Sequence, residues 1–217
     1  MPNAPPLTVK VWGDLACFTR PEMKVERVTY PCMTPSAARG ILEAIFWKPE
    51  FTWQVREIWL LKPVLYFSMT RNEIGDPQSP GSDAARGGHY YADEHREQRH
   101  TLALRDVAYV IVADPVLRTH ATDDIAKYRD QFRRRVQKGQ FFHQPCFGCR
   151  EFHVFFETAN GDKPIPDSFE IGPMLFDLAY NPDKSGRGRP VFFDAKVERG
   201  ILKIPEELYT KGGGYVA

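Results

Sequence analysis

Residues 7–11 alternate, with Leu7, Val9 and Val11 on one side and Thr8 and Lys10 on the other, which predicts a half-buried strand that Gly13 and Asp14 end. Thr34-Pro35 supplies a capping side chain followed by a proline at the first helical position. Ala37, Ile41, Ala44 and Ile45 follow at helical spacing, so a helix starts here and closes at Lys48-Pro49. Residues 53–61 and 107–113 read as two further strands. The second is nearly all apolar, as expected of a strand covered on both faces near the centre of a sheet. Between them, residues 71–100 carry Gly75, Pro77, Pro80, Gly81, Gly87 and Gly88 among many charges, which predicts a mobile excursion or a loose hairpin.

A second helix starts at Asp123-Asp124 and ends where Arg133 to Arg135 and Lys138 crowd before Gly139, the charge order that suits a helix dipole. Ile125, Tyr128, Phe132 and Val136 form its apolar stripe, while Lys127, Gln131, Arg134 and Lys138, spaced 4, 3 and 4 apart, share another face. Apolar or alternating segments follow at residues 152–156, 174–178, 191–197 and 201–204, the last two as a hairpin turning near Arg199-Gly200. The predicted fold is α+β: a ferredoxin-like (RRM-like) βαββαβ domain over residues 1–150 with a long loop at about 71–100, then a small C-terminal antiparallel β region over 151–217. The stretch from Lys211 to Ala217 reads as a flexible end.

At 217 residues and 42% hydrophobic, the chain can bury a core, and it has no apolar run of membrane-spanning length. Twenty-nine Lys and Arg against 28 Asp and Glu leave a net charge of +1, so a nucleic-acid surface has to come from local segregation of charge. Four cysteines and a Pro-rich polar start point to a reduced, cytoplasmic protein with no membrane role. Cys146-Phe147-Gly148-Cys149 has the spacing of metal and redox sites. Zinc would need two more ligands, however, and Cys17 and Cys32 lack matching spacing, so a turn that carries thiols is preferred and no metal or cofactor is expected. The six histidines contain no HExxH pattern, and there is no GxSxG elbow or phosphate-cradling glycine loop. Arg133 to Arg135, Lys127 and Lys138 interleave with Tyr128, Phe141, Phe142 and Phe147: cations for phosphates and rings for unpaired bases, or simply a solvated helix end. His143 follows that helix, either as an exposed structural histidine or as a group that reaches a substrate bound there.

The run from Gly13 to Pro21, the block from Thr34 to Pro49, Lys62-Pro63 with Arg71-Asn72-Glu73, residues 104–109, and Phe147-Gly148-Cys149-Arg150-Glu151-Phe152 together resemble the type I-C (Dvulg) form of the CRISPR-associated Cas-five family, from about residue 7 to about residue 205. The resemblance implies a RAMP-superfamily protein that cleaves the repeat hairpin of the CRISPR precursor transcript (pre-crRNA) without a metal. It also implies that the protein stays on the 5′ handle of the mature guide (crRNA), beside the large and backbone subunits of a surveillance complex. In that chemistry the ribose 2′-hydroxyl attacks its own 3′ phosphate, so the protein only orients the bond, moves protons and offsets charge. The family's tyrosine in the first helix block is Phe46 here. Its Lys-His pair matches Lys127-Tyr128, or Tyr128-Arg129 by a gapless count back from the Phe147 block. Lys127 is then the charge stabiliser, and proton transfer falls to His143, Tyr128 or Tyr30, with His143 best suited to neutral pH. Arg39, Lys48, Arg129, Arg133, Arg134, Lys138 and Arg150 are the candidate RNA contacts. The competing reading is a non-catalytic subunit that caps the 5′ handle, which Phe46 favours. A weak contact with duplex DNA is a third, to which the near-neutral charge lends little.

Overall fold

The apolar run from Val107 to Ala113 lies inside a strand of 22 residues, and the rest of the sheet is assembled on that strand. The computed structural model describes residues 5–23, 25–75, 92–180 and 188–211. Its elements are β1 (Leu7–Ala16), β2 (Arg27–Val28), α1 (Pro35–Ile45), β3 (Phe51–Leu60), β4 (Tyr66–Ile74), a 3₁₀ turn (Ala92–His95), β5 (Arg96–Leu117), α2 (Ile125–Gln137), β6 (Phe155–Glu157), β7 (Phe169–Ala179), β8 (Arg189–Glu198), β9 (Ile201–Lys203) and α3 (Glu207–Lys211). The architecture is α+β, a mostly antiparallel nine-stranded sheet in the order β6-β1-β5-β3-β9-β8-β7, with β2 and β4 also on β5. Among the described residues, no helix is long and apolar enough to cross a membrane.

β5 works as a spine in two halves. Its C-terminal half lies between β1 (Val9 opposite Ile111) and β3 (Ile58 opposite Ile111), as its double-sided burial requires. Its N-terminal half carries β4 on one side, from Tyr66 opposite Leu104 to Ile74 opposite Arg96, and the short parallel β2 on the other. The halves meet at Asp106, which has a φ of 53°, lies between the β4 and β3 pairings while β1 pairs on both sides of it, and takes Lys62 Nζ on its carboxylate at 2.5 Å. Within the stretch 71–100, read as a mobile excursion or a loose hairpin, residues 71–74 of β4 pair antiparallel with residues 96–99 of β5, as the hairpin alternative expects, and residues 76–91 lie outside the described residues. On the half-buried face of β4, Met69 is followed by the charged Arg71 and Glu73, so no hydrophobic alternation marks its outer part. Backbone pairing and ion pairs such as Arg27–Glu73 at 3.2 Å hold it instead.

Both helices form where capping chemistry places them. Thr34 Oγ1 accepts from Ala37 N at 3.3 Å with Pro35 behind it, and Asp124 Oδ1 accepts from Ala126 N at 2.7 Å. Their apolar stripes lie on one face of the sheet: Phe132 meets Trp53 at 4.8 Å between ring centroids, Tyr128 meets Phe51 at 5.3 Å, and Trp53 Nε1 donates to the Phe46 carbonyl. The expected hairpin is present, with Arg199 and Gly200 both in the left-handed region and Val197 opposite Leu202. β1 runs on to Ala16, past the Gly13-Asp14 stop read from the sequence, because Gly13 and Leu15 keep their pairing to β5. β9 adds to the outer edge of β3, and the Tyr209 hydroxyl of α3 accepts from Val55 N and donates to Val55 O where β3 bulges. Of the expected flexible end, residues 212–217 lie outside the described residues.

The Cys146–Cys149 segment is a tight turn. Phe147 is fully buried between Phe18 and Tyr109, and Gly148 has φ +81° with the position of a Cβ only 2.0 Å from the Cys17 carbonyl oxygen. Gly148→Ala is therefore expected to destabilise the protein by about 2–4 kcal/mol in urea unfolding. Gly40→Ala, in α1 with open space around it, is expected to stabilise by about 0.5–1 kcal/mol. Equal midpoints for the two variants would contradict this account of the turn.

Candidate RNA-binding surface on the second helix

A helix ends with carbonyls that have no partner in the helix itself. At the end of α1 those groups are answered from α2 and the loop after it. Arg135 Nη1 donates to the Ile45 carbonyl at 2.8 Å, and the Ala44 carbonyl accepts from Phe142 N at 2.8 Å and from His143 N at 3.1 Å. The Arg135 guanidinium also lies over the Phe46 ring, 5.4 Å from its centroid. Phe46 is 1% exposed and packs on Phe51, so the position where the resemblance expects a tyrosine is a core phenyl ring under an arginine. Residue type alone does not distinguish Arg135 within the Arg133–Arg135 run. The available signal is its place three residues after Phe132, on the flank of the apolar stripe that faces α1.

Along the other face of α2 the expected stripe is present: Lys127, Arg134 and Lys138 are exposed and Gln131 half-buried. At its start, Lys127 Nζ donates to Asp123 Oδ2 at 2.7 Å, and the Tyr128 hydroxyl donates to the same oxygen at 3.5 Å. That hydrogen bond raises the Lys127 pKa, and desolvation of the buried Tyr128 raises the phenol's. At its far end, Arg134 and Lys138 have no ion pair among the described residues, whereas Arg133 is tied to Asp130 at 2.9 Å. His143 is exposed, with its ring 4.2 Å from that of Phe142. The structure does not bring Lys127 and His143 together, since Lys127 lies about two helical turns before Arg135, to whose α1 contact His143 is tied.

The other predicted residues divide by burial. Arg129 is 6% exposed, and its guanidinium pairs with Asp114 at 3.4 Å and with the Pro5 carbonyl, so its charge is held inside the protein. Tyr30 is fully buried, with its hydroxyl accepting from Leu175 N at 3.2 Å and donating to the Pro173 carbonyl. Arg39 is half-buried on Asp177 at 2.9 Å and Glu43 at 3.7 Å, in a cleft between α1 and β7. Lys48 and Arg150 are exposed and without an ion pair among the described residues, Lys48 two residues beyond Phe46 and Arg150 in the turn after Cys149. Cys149 accepts from Arg27 Nη1 at 3.3 Å, and its thiol is drawn down to about 6 by hydrogen bonding from Cys17 and then Arg27. Among the described residues, no three His, Cys, Asp or Glu side chains converge as a metal site.

The sequence signature of the family described as CRISPR-associated protein (Cas5), in its Cas5d form, matches residues 7–204. The chain is 47% identical over 223 aligned residues to a protein of Thermus thermophilus named CRISPR pre-crRNA endoribonuclease Cas5d, covering 94% of this chain and 93% of that one. It is 40% identical to a protein of the same name from Mannheimia succiniciproducens, covering 92% and 94%. A crystal structure described as a CRISPR-associated protein superimposes with a TM-score of 0.67 at 20% identity, over 96% of this chain and 94% of that one, a likeness of fold.

Replacing Arg135 by methionine removes a charged hydrogen bond and a cation–π contact while keeping the aliphatic stem. The expected loss is about 1–3 kcal/mol in unfolding, with faster hydrogen exchange at the Phe142 and His143 amides. Unchanged exchange at those two amides would show that the loop is held without the arginine.

Proposed function

The chain belongs to the CRISPR-associated Cas5 family in its Cas5d form, and from that membership we propose that it cleaves the repeat hairpin of pre-crRNA and then keeps the 5′ handle of the crRNA. The observation that carries this reading is the match to relatives named as pre-crRNA endoribonucleases over nine-tenths of the chain. The exposed stripe from Lys127 to Lys138 supports it, because in a protein of net charge +1 this helix gathers cations on one face. On this reading the other subunits of the surveillance complex and the RNA are its partners, and the protein works in the cytoplasm. The ferredoxin-like reading of the fold draws its support from the order β6-β1-β5-β3, with α1 after β1 and α2 after β5. The division into a domain over 1–150 and a β region over 151–217 goes with it, with β6 and β9 reaching back across the boundary to pair with β1 and β3.

The chemistry we assign needs no metal, since the RNA carries its own nucleophile in the 2′-hydroxyl. A base removes that proton, the phosphorane charge is offset by cations, and an acid protonates the departing 5′ oxygen; a 2′,3′-cyclic phosphate and a 5′-hydroxyl result. His143 is assigned the proton transfer, with Arg134 and Lys138 the cations on its end of α2. Lys127 holds the RNA at the other end, with the buried Tyr128 beneath it on the same Asp123, and Lys48, Arg133 and Arg150 hold its flanks, while Arg39 on Asp177 and the buried Arg129 support the fold beneath. A second reading, a subunit that caps the handle without cutting, is favoured by Phe46, a phenyl ring that neither gives nor takes a proton.

The test is incubation of the purified protein with its own repeat hairpin in excess EDTA, beside a copy carrying a 2′-deoxy sugar at the cut site. Cleavage of the first RNA alone, with a cyclic-phosphate end, is expected. His143→Ala is expected to slow it by about 100-fold or more while leaving binding intact. Tight binding with no cleavage would instead select the capping reading, and wild-type cleavage by His143→Ala would remove that residue from the mechanism.

A further inference from the structure

Phe142 is 67% exposed, the most exposed of the large apolar side chains among the described residues, yet its backbone is fixed, because its own amide and that of His143 share the Ala44 carbonyl. A ring held in water on a rigid support keeps a face available without the entropy cost of ordering a loop. Its edge-on neighbour is the His143 ring at 4.2 Å, and Phe141 beside it packs on Phe156 at 6.4 Å. Gly139, with φ +62°, turns the chain at the end of α2 so that these rings follow in sequence on Lys138 and Arg134, two cations without an ion pair among the described residues.

We propose that Phe142 is a stacking platform for one unpaired base of the bound RNA, where the paired stem gives way to single strand, with Phe141 as its strut and the neighbouring phosphates on Lys138 and Arg134. The inference rests on the RNA-binding reading above and adds to it the part of the RNA that this loop takes. A base inside a duplex has both faces covered, so an exposed ring selects a base without a stacked neighbour. The positive charge beside the ring fits a nucleic-acid strand and disfavours a purely apolar protein partner.

The experiment uses the full chain and two hairpin RNAs blocked by a 2′-deoxy sugar at the cut site, one with a single-stranded flank containing 2-aminopurine and one with no flank. The wild-type protein is expected to change the 2-aminopurine fluorescence on binding. Phe142→Ala is expected to lose that change and to bind the flanked hairpin on the order of tenfold more weakly, while the unflanked hairpin binds as before. Phe142→Trp restores both signals. Retention of the fluorescence change and affinity by Phe142→Ala, or an equal loss on both RNAs, overturns the platform while leaving RNA binding in place. A wild-type protein that binds neither RNA overturns the RNA reading itself, and the platform with it.

Discussion

At the C-terminal end of α1, three successive carbonyls, those of Ala44, Ile45 and Phe46, find partners from outside the helix: two loop amides, the Arg135 guanidinium and the Trp53 indole. Helix ends buried without such partners are costly, so this junction constrains everything attached to it. It ties α2 to α1 through Arg135, fixes the backbone of Phe142 and His143, and seats Phe46 between Phe51 and the guanidinium. The exposed groups of the proposed site hold their positions because the groups beneath them are bonded. Arg129 to Asp114 and Trp53 to Phe132 anchor the same helix to the sheet.

Local chemistry made the helices legible in the sequence. Thr34-Pro35 and Asp123-Asp124 cap where their side chains predict, and the two faces of α2 separate as their spacing requires. The apolar run of β5 announced a central strand for the same reason, since burial on both faces leaves no polar alternation. The arm of β4 and the first half of β5 was legible only as the looser of two alternatives, a hairpin, because charged residues such as Arg71, Glu73 and Arg99 take its half-buried positions and backbone pairing to a distant segment holds it. Asp106 shows how little signal marks the division of the spine: around one residue in the left-handed region the partner on one edge changes from β4, opposite Leu104, to β3, opposite Tyr109, while β1 pairs on both sides of it.

At the site, residue type located the basic helix but did not separate inward from outward cations. Arg129 and Arg134 stand in the same run of charge, yet one is an internal strut on Asp114 and the other is exposed. Spacing of five places them on different faces, and only the packing of β5 under α2 says which face is buried. The Cys146–Cys149 spacing was equally ambiguous. The structure resolves it as a turn in which Gly148 clears the Cys17 carbonyl and Cys149 meets Arg27. At Phe46, where the resemblance expects a tyrosine, the ring is buried under the Arg135 guanidinium, a junction that uses no hydroxyl there.

The central claim is that RNA lies along α2, from the Lys127–Asp123–Tyr128 group to the loop of Phe142 and His143. It is tested most directly by photo-cross-linking the repeat hairpin, substituted with 4-thiouridine at single positions around the cut site, and identifying the modified peptides by mass spectrometry. The account predicts cross-links on the peptides containing Lys127, Lys138 and Phe141 to His143, moving from one end of α2 to the other as the substituted position moves. Cross-links confined to β7 and β8, with none on α2 or the loop that follows it, would contradict it.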